Sequence, residues 1–295
     1  MSIVKSFSIG NGDMFYINHN SDNFTIIDCC MGDEDRARIV AELKHQSNGK
    51  GVVRFISTHP DEDHILGLRY LHRSMNLLNF YCLRNDATKE PETDSFDQYC
   101  ALRDDAQKAF YLYRGCSRKW MNIDNEERKH SGLHVLWPIT TNEHYKEALQ
   151  QAAEGESANN ISIVLQYNCV AGKIAWMGDL ETEFMEAVED EVVMDSADIL
   201  FAPHHGRDSG EVPAKWLGEM DPNLIVIGEA PSEHLNYYAG YNTITQNSAG
   251  DITLECVAGK THIYVSNNDY SVDFLDNEYQ PDTHGTYIGT LQAKA

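Results

Sequence analysis

THPDEDH, residues 58–64, is the stretch whose reading decides the rest. Five of its seven residues, His59, Asp61, Glu62, Asp63 and His64, can bind a metal ion or support one that does. An apolar, β-branched run (Val52, Val53, Phe55, Ile56) precedes it and another (Ile65, Leu66, Leu68) follows. That profile is a buried strand, a short loop and a helix. Imidazoles and carboxylates at the mouth of a buried strand are costly without a partner, and a bound cation is the simplest one.

Two further polar clusters also follow apolar strands. Gly178-Asp179 closes the run Lys173–Met177, and Pro203-His204-His205-Gly206 closes Asp198–Ala202. Ligands at the ends of parallel-type strands converge on one crevice. His59, Asp61, Asp63, His64, Asp179 and one of His204 or His205 are enough for two metal ions with positions left for water and substrate. Asp179, with two carboxylate oxygens, is the natural bridge. The residue types leave the order of the two histidines open, since adjacent side chains point differently. We assign His204 to the metal, and Asp63 with His205 to catalysis. Asp61 hardens the site and shifts preference from Zn²⁺ toward Mn²⁺ or Mg²⁺.

The elements around these clusters read as α/β. Residues 1–28 form two hairpins, with Gly10-Asn11-Gly12-Asp13 as a tight turn, and Asp28 ends a buried strand where it can brace the site. Residues 33–46 make an amphipathic helix, and the strand at 51–57 completes a β-α-β order. A helix from Ile65 to about Arg73 follows the central motif. Residues 84–131 form a polar insertion with a helix from about Ser95 to Tyr113. There Lys108, Arg114, Arg118 and Lys119 interleave with Phe110, Tyr111, Tyr113 and Trp120, a pattern that suits a nucleic-acid surface or a core with a solvated rim. A strand at Leu133–Trp137, a helix from Asn142 to about Ala153, a hairpin over 161–177 and further strands up to about 266 complete one domain, 1–276. The tail 277–295 is expected to be an arm or disordered.

Composition sets bounds. The 295 residues are 42% hydrophobic, enough for a sizeable core. No run reaches the ~20 apolar residues of a membrane span, and the first residues do not form a secretory signal. Seven cysteines without a CxxC pair suit reduced thiols in the cytoplasm. The formal charge of −23 argues against a protein that coats duplex DNA. It leaves a nuclease open, because bound metal ions supply local positive charge.

The motifs carry a resemblance. His59, Asp63 and His64, then Gly178-Asp179, then His204-His205, resemble a metallo-β-lactamase-fold hydrolase. More narrowly the chain resembles the soluble nuclease domain of ComEC-type competence proteins. That group has Asp at the place of Asp61 and shares Gly10–Asp13, Asn159-Asn160-Ile161-Ser162 and Pro203–Gly206. The resemblance runs over about 1–265 and implies a four-layer αββα sandwich, two divalent ions (Mn²⁺ or Zn²⁺, with Mg²⁺ admissible) and hydrolysis of phosphodiesters by a metal-bound hydroxide. It implies nucleic acid as substrate, DNA ahead of RNA. The membrane channel of that group is absent, so transport does not carry over. Its middle histidine has no match before Asp179, which leaves one metal site short of ligands. His234 is the one spare loop histidine. Two other classes stand beside this one: a hydrolase of small phosphoesters or esters, and a non-catalytic, metal-stabilised subunit of a larger assembly. A protein partner or a homo-oligomer stays open.

Overall fold

The computed structural model describes residues 1–294. In chain order its elements are β1 (Ser2–Ser6), β2 (Phe15–Asn18), β3 (Asn23–Ile27), α1 (Arg36–Gln46), β4 (Val52–Ile56), α2 (Glu62–Ile65), α3 (Leu68–Met75) and β5 (Phe80–Cys82). Then come α4 (Asp94–Arg103), β6 (Ala109–Tyr111), β7 (Leu133–Trp137), α5 (Glu143–Ala153), β8 (Val164–Cys169), β9 (Gly172–Trp176), α6 (Thr182–Val188) and β10 (Ile199–Phe201). The chain ends with α7 (Ala214–Met220), β11 (Leu224–Ile227), β12 (Thr243–Thr245), α8 (Gln246–Ala249), β13 (Ile252–Val257), β14 (Lys260–Val265) and β15 (Thr286–Gln292).

The strands make two sheets, ordered β15-β14-β13-β1-β2-β3-β4-β5-β6 and β12-β11-β10-β9-β8-β7. Their inner faces meet through aromatic rings: Phe15 on β2 packs edge-on against Phe201 on β10 at 5.0 Å and Trp176 on β9 at 6.1 Å. Parallel neighbours need crossovers, and helices supply them. In the first sheet β3 to β6 run parallel, joined through α1, α2–α3 and α4. In the second, β9 to β11 run parallel, joined through α6 and α7. The inner faces being taken by the other sheet, the helices cover the outer faces. This is the expected α/β sandwich of four layers, αββα, and it sets the carboxyl ends of the parallel strands at one end of the molecule. No helix among the described residues is long and apolar enough to cross a membrane.

Three expectations are corrected. The helix after the central motif breaks at Gly67, whose φ of 84° separates α2 from α3. A glycine takes that left-handed turn without strain. The helix expected from Ser95 to Tyr113 stops at Arg103; Ala109–Tyr111 instead pairs in parallel with Phe80–Cys82. Side chains suited to a pleated edge win there over the helical period. The tail is not free either. Thr286–Gln292 pairs antiparallel with β14 across a bulge, and His262 Nδ1 lies 2.8 Å from Thr290 Oγ1. Its Tyr287, Ile288 and Thr290 are ordinary strand residues in a polar stretch.

Candidate metal centre

The loops at the carboxyl ends of β3, β4, β9 and β10 converge, and the innermost group is Asp13, His64, Asp179 and His205, whose ligand atoms lie within 4.8 Å of one another. His64 sits in the short α2, its side chain fully buried. Asp28 fixes its ring: His64 Nδ1 donates to Asp28 Oδ2 at 2.8 Å. The same carboxylate accepts from the Thr58 amide (2.7 Å) and hydroxyl (2.6 Å). With Nδ1 committed, Nε2 is the free ligand atom, the outer-shell arrangement typical of metal-binding histidines. It lies 3.0 Å from Asp179 Oδ1.

Asp179 is held at the centre by its own backbone. Gly178 has φ 53°, and a Cβ there would stand 2.7 Å from Ser162 Oγ and 3.1 Å from Thr58 Cβ. The Asp179 amide donates to Ser162 Oγ at 3.0 Å. Asn160 clamps the next turn, donating to Glu181 Oε2 (2.8 Å) and accepting from the Glu181 amide (3.1 Å). The Asn159–Ser162 run, where the middle histidine is missing, therefore shapes the Asp179 loop.

The histidine pair sits on strained backbone. Both residues have positive φ, 52° at His204 and 56° at His205, a conformation that persists only where the surroundings enforce it. The effect is to turn His205 inward. Its Nε2 lies 3.2 Å from Asp63 Oδ2 and 3.4 Å from Asp179 Oδ2, and its Nδ1 3.2 Å from Asp13 Oδ1. His204 stands at the mouth, Nε2 4.0 Å from Asp179 Oδ2 and Nδ1 3.0 Å from Ser209 Oγ. The pair is thus turned the other way from the expectation: His205 lies in the inner group with Asp13, His64 and Asp179, and His204 at the open rim.

A looser second group surrounds Asp179 Oδ2. His59 Nε2 is 4.0 Å away, and Asp61 Oδ2 lies 3.8 Å from His59 Nε2. His204 Nε2 stands at the same distance from Asp179 Oδ2, 4.0 Å, on the rim of this group. His234 does not join it: it is exposed and faces Glu233 at 3.7 Å. The sequence reading missed Asp13, which belongs to the loop taken there as a simple turn. Asp13 N donates to Asp63 O at 3.1 Å. The neighbouring Gly12 allows that approach, since a Cβ would meet Cys30 Sγ at 2.5 Å and Asp63 O at 2.7 Å. The local signal was an acid placed directly after the Gly10-Asn11-Gly12 turn.

The electrostatics suit a cation. His59 Nε2, His64 Nε2 and Asp179 Oδ1 are buried and have no hydrogen-bond partner. Such atoms are costly unless something outside the chain satisfies them. Burial pushes His59 down to about 3. Burial also pushes on His64 and His205, but Asp179 and their further carboxylate partners outweigh it and raise both. For Asp179 burial opposes ionisation and the two imidazoles overcome it. Asp63 follows the same balance: burial, the largest influence, raises it, the His205 hydrogen bond and the charges of His64 and His205 together outweigh that, and the carboxyl sits at about 2. These groups could together hold a metal ion. Five carboxylates (Asp13, Asp28, Asp61, Asp63, Asp179) with imidazoles form a mixed hard and borderline donor set.

No protein-family model matches the chain, and no curated protein does. Among solved structures, it is similar to the B3 metallo-β-lactamase BLEG-1, at 12% identity and a TM-score of 0.34, over 64% of this chain and 85% of that one. It is also similar to the metallo-β-lactamase SMB-1 in complex with mercaptoacetic acid, at 15% identity and a TM-score of 0.37, over 68% of this chain and 79% of that one.

Proposed function

We propose that the chain is a metal-dependent hydrolase of phosphodiesters, with nucleic acid, DNA ahead of RNA, as substrate. The observation that carries the metal is the set of buried, unpartnered atoms His59 Nε2, His64 Nε2 and Asp179 Oδ1 facing one another at the strand ends. The choice of nucleic acid comes from the sequence resemblance to ComEC-type nuclease domains. His64, Asp63, Asp179 and His205 would hold one ion, and His59 and Asp61 would contribute to a second beside it, with Mn²⁺ favoured by the carboxylates and Zn²⁺ open. Such ions supply Lewis acidity and activate water.

The chain's own groups do the rest. Asp28 and Asp13 orient the His64 and His205 rings through their Nδ1 atoms. Asp63, ionised at neutral pH, is placed to take a proton on its carboxylate. His204, whose pKa burial lowers, sits at the rim, where its ring would hydrogen-bond a leaving oxygen. Lys89 Nζ, 3.8 Å from Asp61 Oδ1, gives the mouth a cation for an anionic substrate.

The test is a matrix of metals against substrates (DNA, RNA and bis-p-nitrophenyl phosphate) on wild type and Asp63→Ala. Mn²⁺-loaded, folded wild type that cleaves none of them sinks the proposal. A second reading, a small phosphoester substrate, is favoured by one observation. The cleft beside Asp61, a cavity of about 260 Å³, is lined by Lys89 but also by Glu90 and Glu156, which repel a polyanion. Turnover of the small diester without DNA or RNA cleavage selects it.

A further inference from the structure

The aromatic cluster of the insertion is divided by the fold. Arg118 lies over Phe110 (4.7 Å) and Tyr81 (5.0 Å), a packed arrangement. Tyr111 and Tyr113 turn to another place. With Arg84, Thr140, Tyr145 and Leu149 they line a cavity of about 380 Å³. The cavity sits at the metal end of the molecule, because Arg84 and Tyr113 lie just past the carboxyl ends of β5 and β6, which run parallel to β4. The segment from Arg84 leads to Lys89 and so to Asp61.

Three features specify what fits. First, the walls are aromatic and apolar, and Tyr111 and Tyr113 remain 36% and 47% exposed, which suits stacking of a planar ring. Second, Tyr145 is only 2% exposed, packs edge-on against Trp137 at 5.8 Å, and lines this cavity. A tyrosine hydroxyl on a cavity wall is both donor and acceptor for a ligand that enters. Third, Arg84 stands 5.9 Å from the Tyr111 ring and belongs to none of the ion pairs among the described residues, although the chain is strongly acidic. A cation free at the rim of an aromatic slot calls for an anionic group on the ligand's open side.

We infer that this cavity binds a nucleotide: the base lies among Tyr111, Tyr113 and Leu149, the Tyr145 hydroxyl bonds a polar atom of its edge, and Arg84 pairs with the phosphate. The choice of a nucleotide over another aromatic anion rests on the phosphodiester reading. The site then holds a base of the substrate to one side of the bond being cut.

Binding is measured on EDTA-treated protein, so that the metal centre plays no part. The probes are the four nucleoside 5′-monophosphates, their nucleosides and inorganic phosphate, followed by ligand-observed NMR and calorimetry. At least one monophosphate binds saturably. Tyr145→Phe weakens it about threefold to tenfold, as for one lost hydrogen bond. Arg84→Ala weakens the monophosphate about tenfold or more and the nucleoside much less. Leu149→Trp fills the cavity and removes binding; Tyr113→Ala serves as a second variant should that one not fold. Absence of saturable binding overturns the inference, as does binding that survives folded Leu149→Trp or that inorganic phosphate matches. Hydrolysis of bis-p-nitrophenyl phosphate by metal-loaded samples of the same protein reports on the hydrolase reading separately.

Discussion

The two ends of the sandwich each bury a polar cluster, and they solve the same problem differently. At the end opposite the metal centre, Arg54 is fully buried with no carboxylate on it. It donates to Thr25 Oγ1 (3.1 Å), Asn23 Oδ1 (2.7 Å) and the Trp120 carbonyl (2.9 Å), and lies 5.7 Å from the Tyr81 ring. His19 joins through Thr25 Oγ1 at 2.8 Å. One nitrogen of each, Arg54 Nε and His19 Nδ1, is left over. There the chain supplies neutral oxygens to a cation of its own. At the metal end it supplies carboxylates and imidazoles in excess, and the unpartnered atoms face one another. A polar cluster whose donors meet acceptors of the chain is architecture; one whose buried ligand atoms converge on a common point is a candidate site.

The largest effect should come from breaking the centre of the open cluster. Asp179→Ala removes the atom shared by both metal groups. Metal content measured by elemental analysis should fall to background, and hydrolysis by a thousandfold or more, about 4 kcal/mol. Retained metal and activity would place the centre elsewhere. The closed cluster should respond in stability instead. Arg54→Ala removes three donated hydrogen bonds and the packing of a fully buried side chain, and chemical denaturation should show a loss of about 2–4 kcal/mol with metal content preserved. If metal is lost as well, the two ends are not independent.

Next in size is Asp28→Ala. It touches no substrate, and its loss frees the His64 ring. Metal affinity should drop about 10- to 100-fold, read by competition with a chelating dye. An unchanged affinity would mean that packing alone orients His64.

The smallest effect is a pH dependence at the closed end. Burial, then Arg54 and Lys50, hold His19 well below its ordinary 6.5. The unfolded chain therefore takes up a proton near 6.5 that the folded chain refuses. This contribution to stability is complete above about pH 6.5 and is lost as the pH falls below it. Between pH 7 and pH 5.5 wild type should lose roughly 1 kcal/mol more than His19→Gln. Equal losses would show that His19 accepts its proton in the fold.

Much of this was legible in residue order. THPDEDH, Gly178-Asp179 and PHHG each follow an apolar run, and strand ends of parallel type share an end of their sheet. The place of the site comes from that pattern, whereas the αββα layering was what the family resemblance implied. Asp28 was readable as a brace because it closes a buried strand. Asp13 was not, because its partner His205 is 192 positions away in the chain. Strand β15 was hidden for a related reason: its polar residues look like a tail until β14 offers them a ladder.

The sequence by itself determined the donor chemistry, the acidic surface and the alternation of strands and helices, since residue type and local period are written along the chain. The tertiary structure alone decided which histidine of the pair turns inward. That depends on a left-handed backbone at His204 and His205, which the surrounding fold must enforce. It also decided which buried polar atoms find partners and which are left facing a common point. Hydrogen-bond satisfaction is a property of neighbours in space, and no local pattern encodes it.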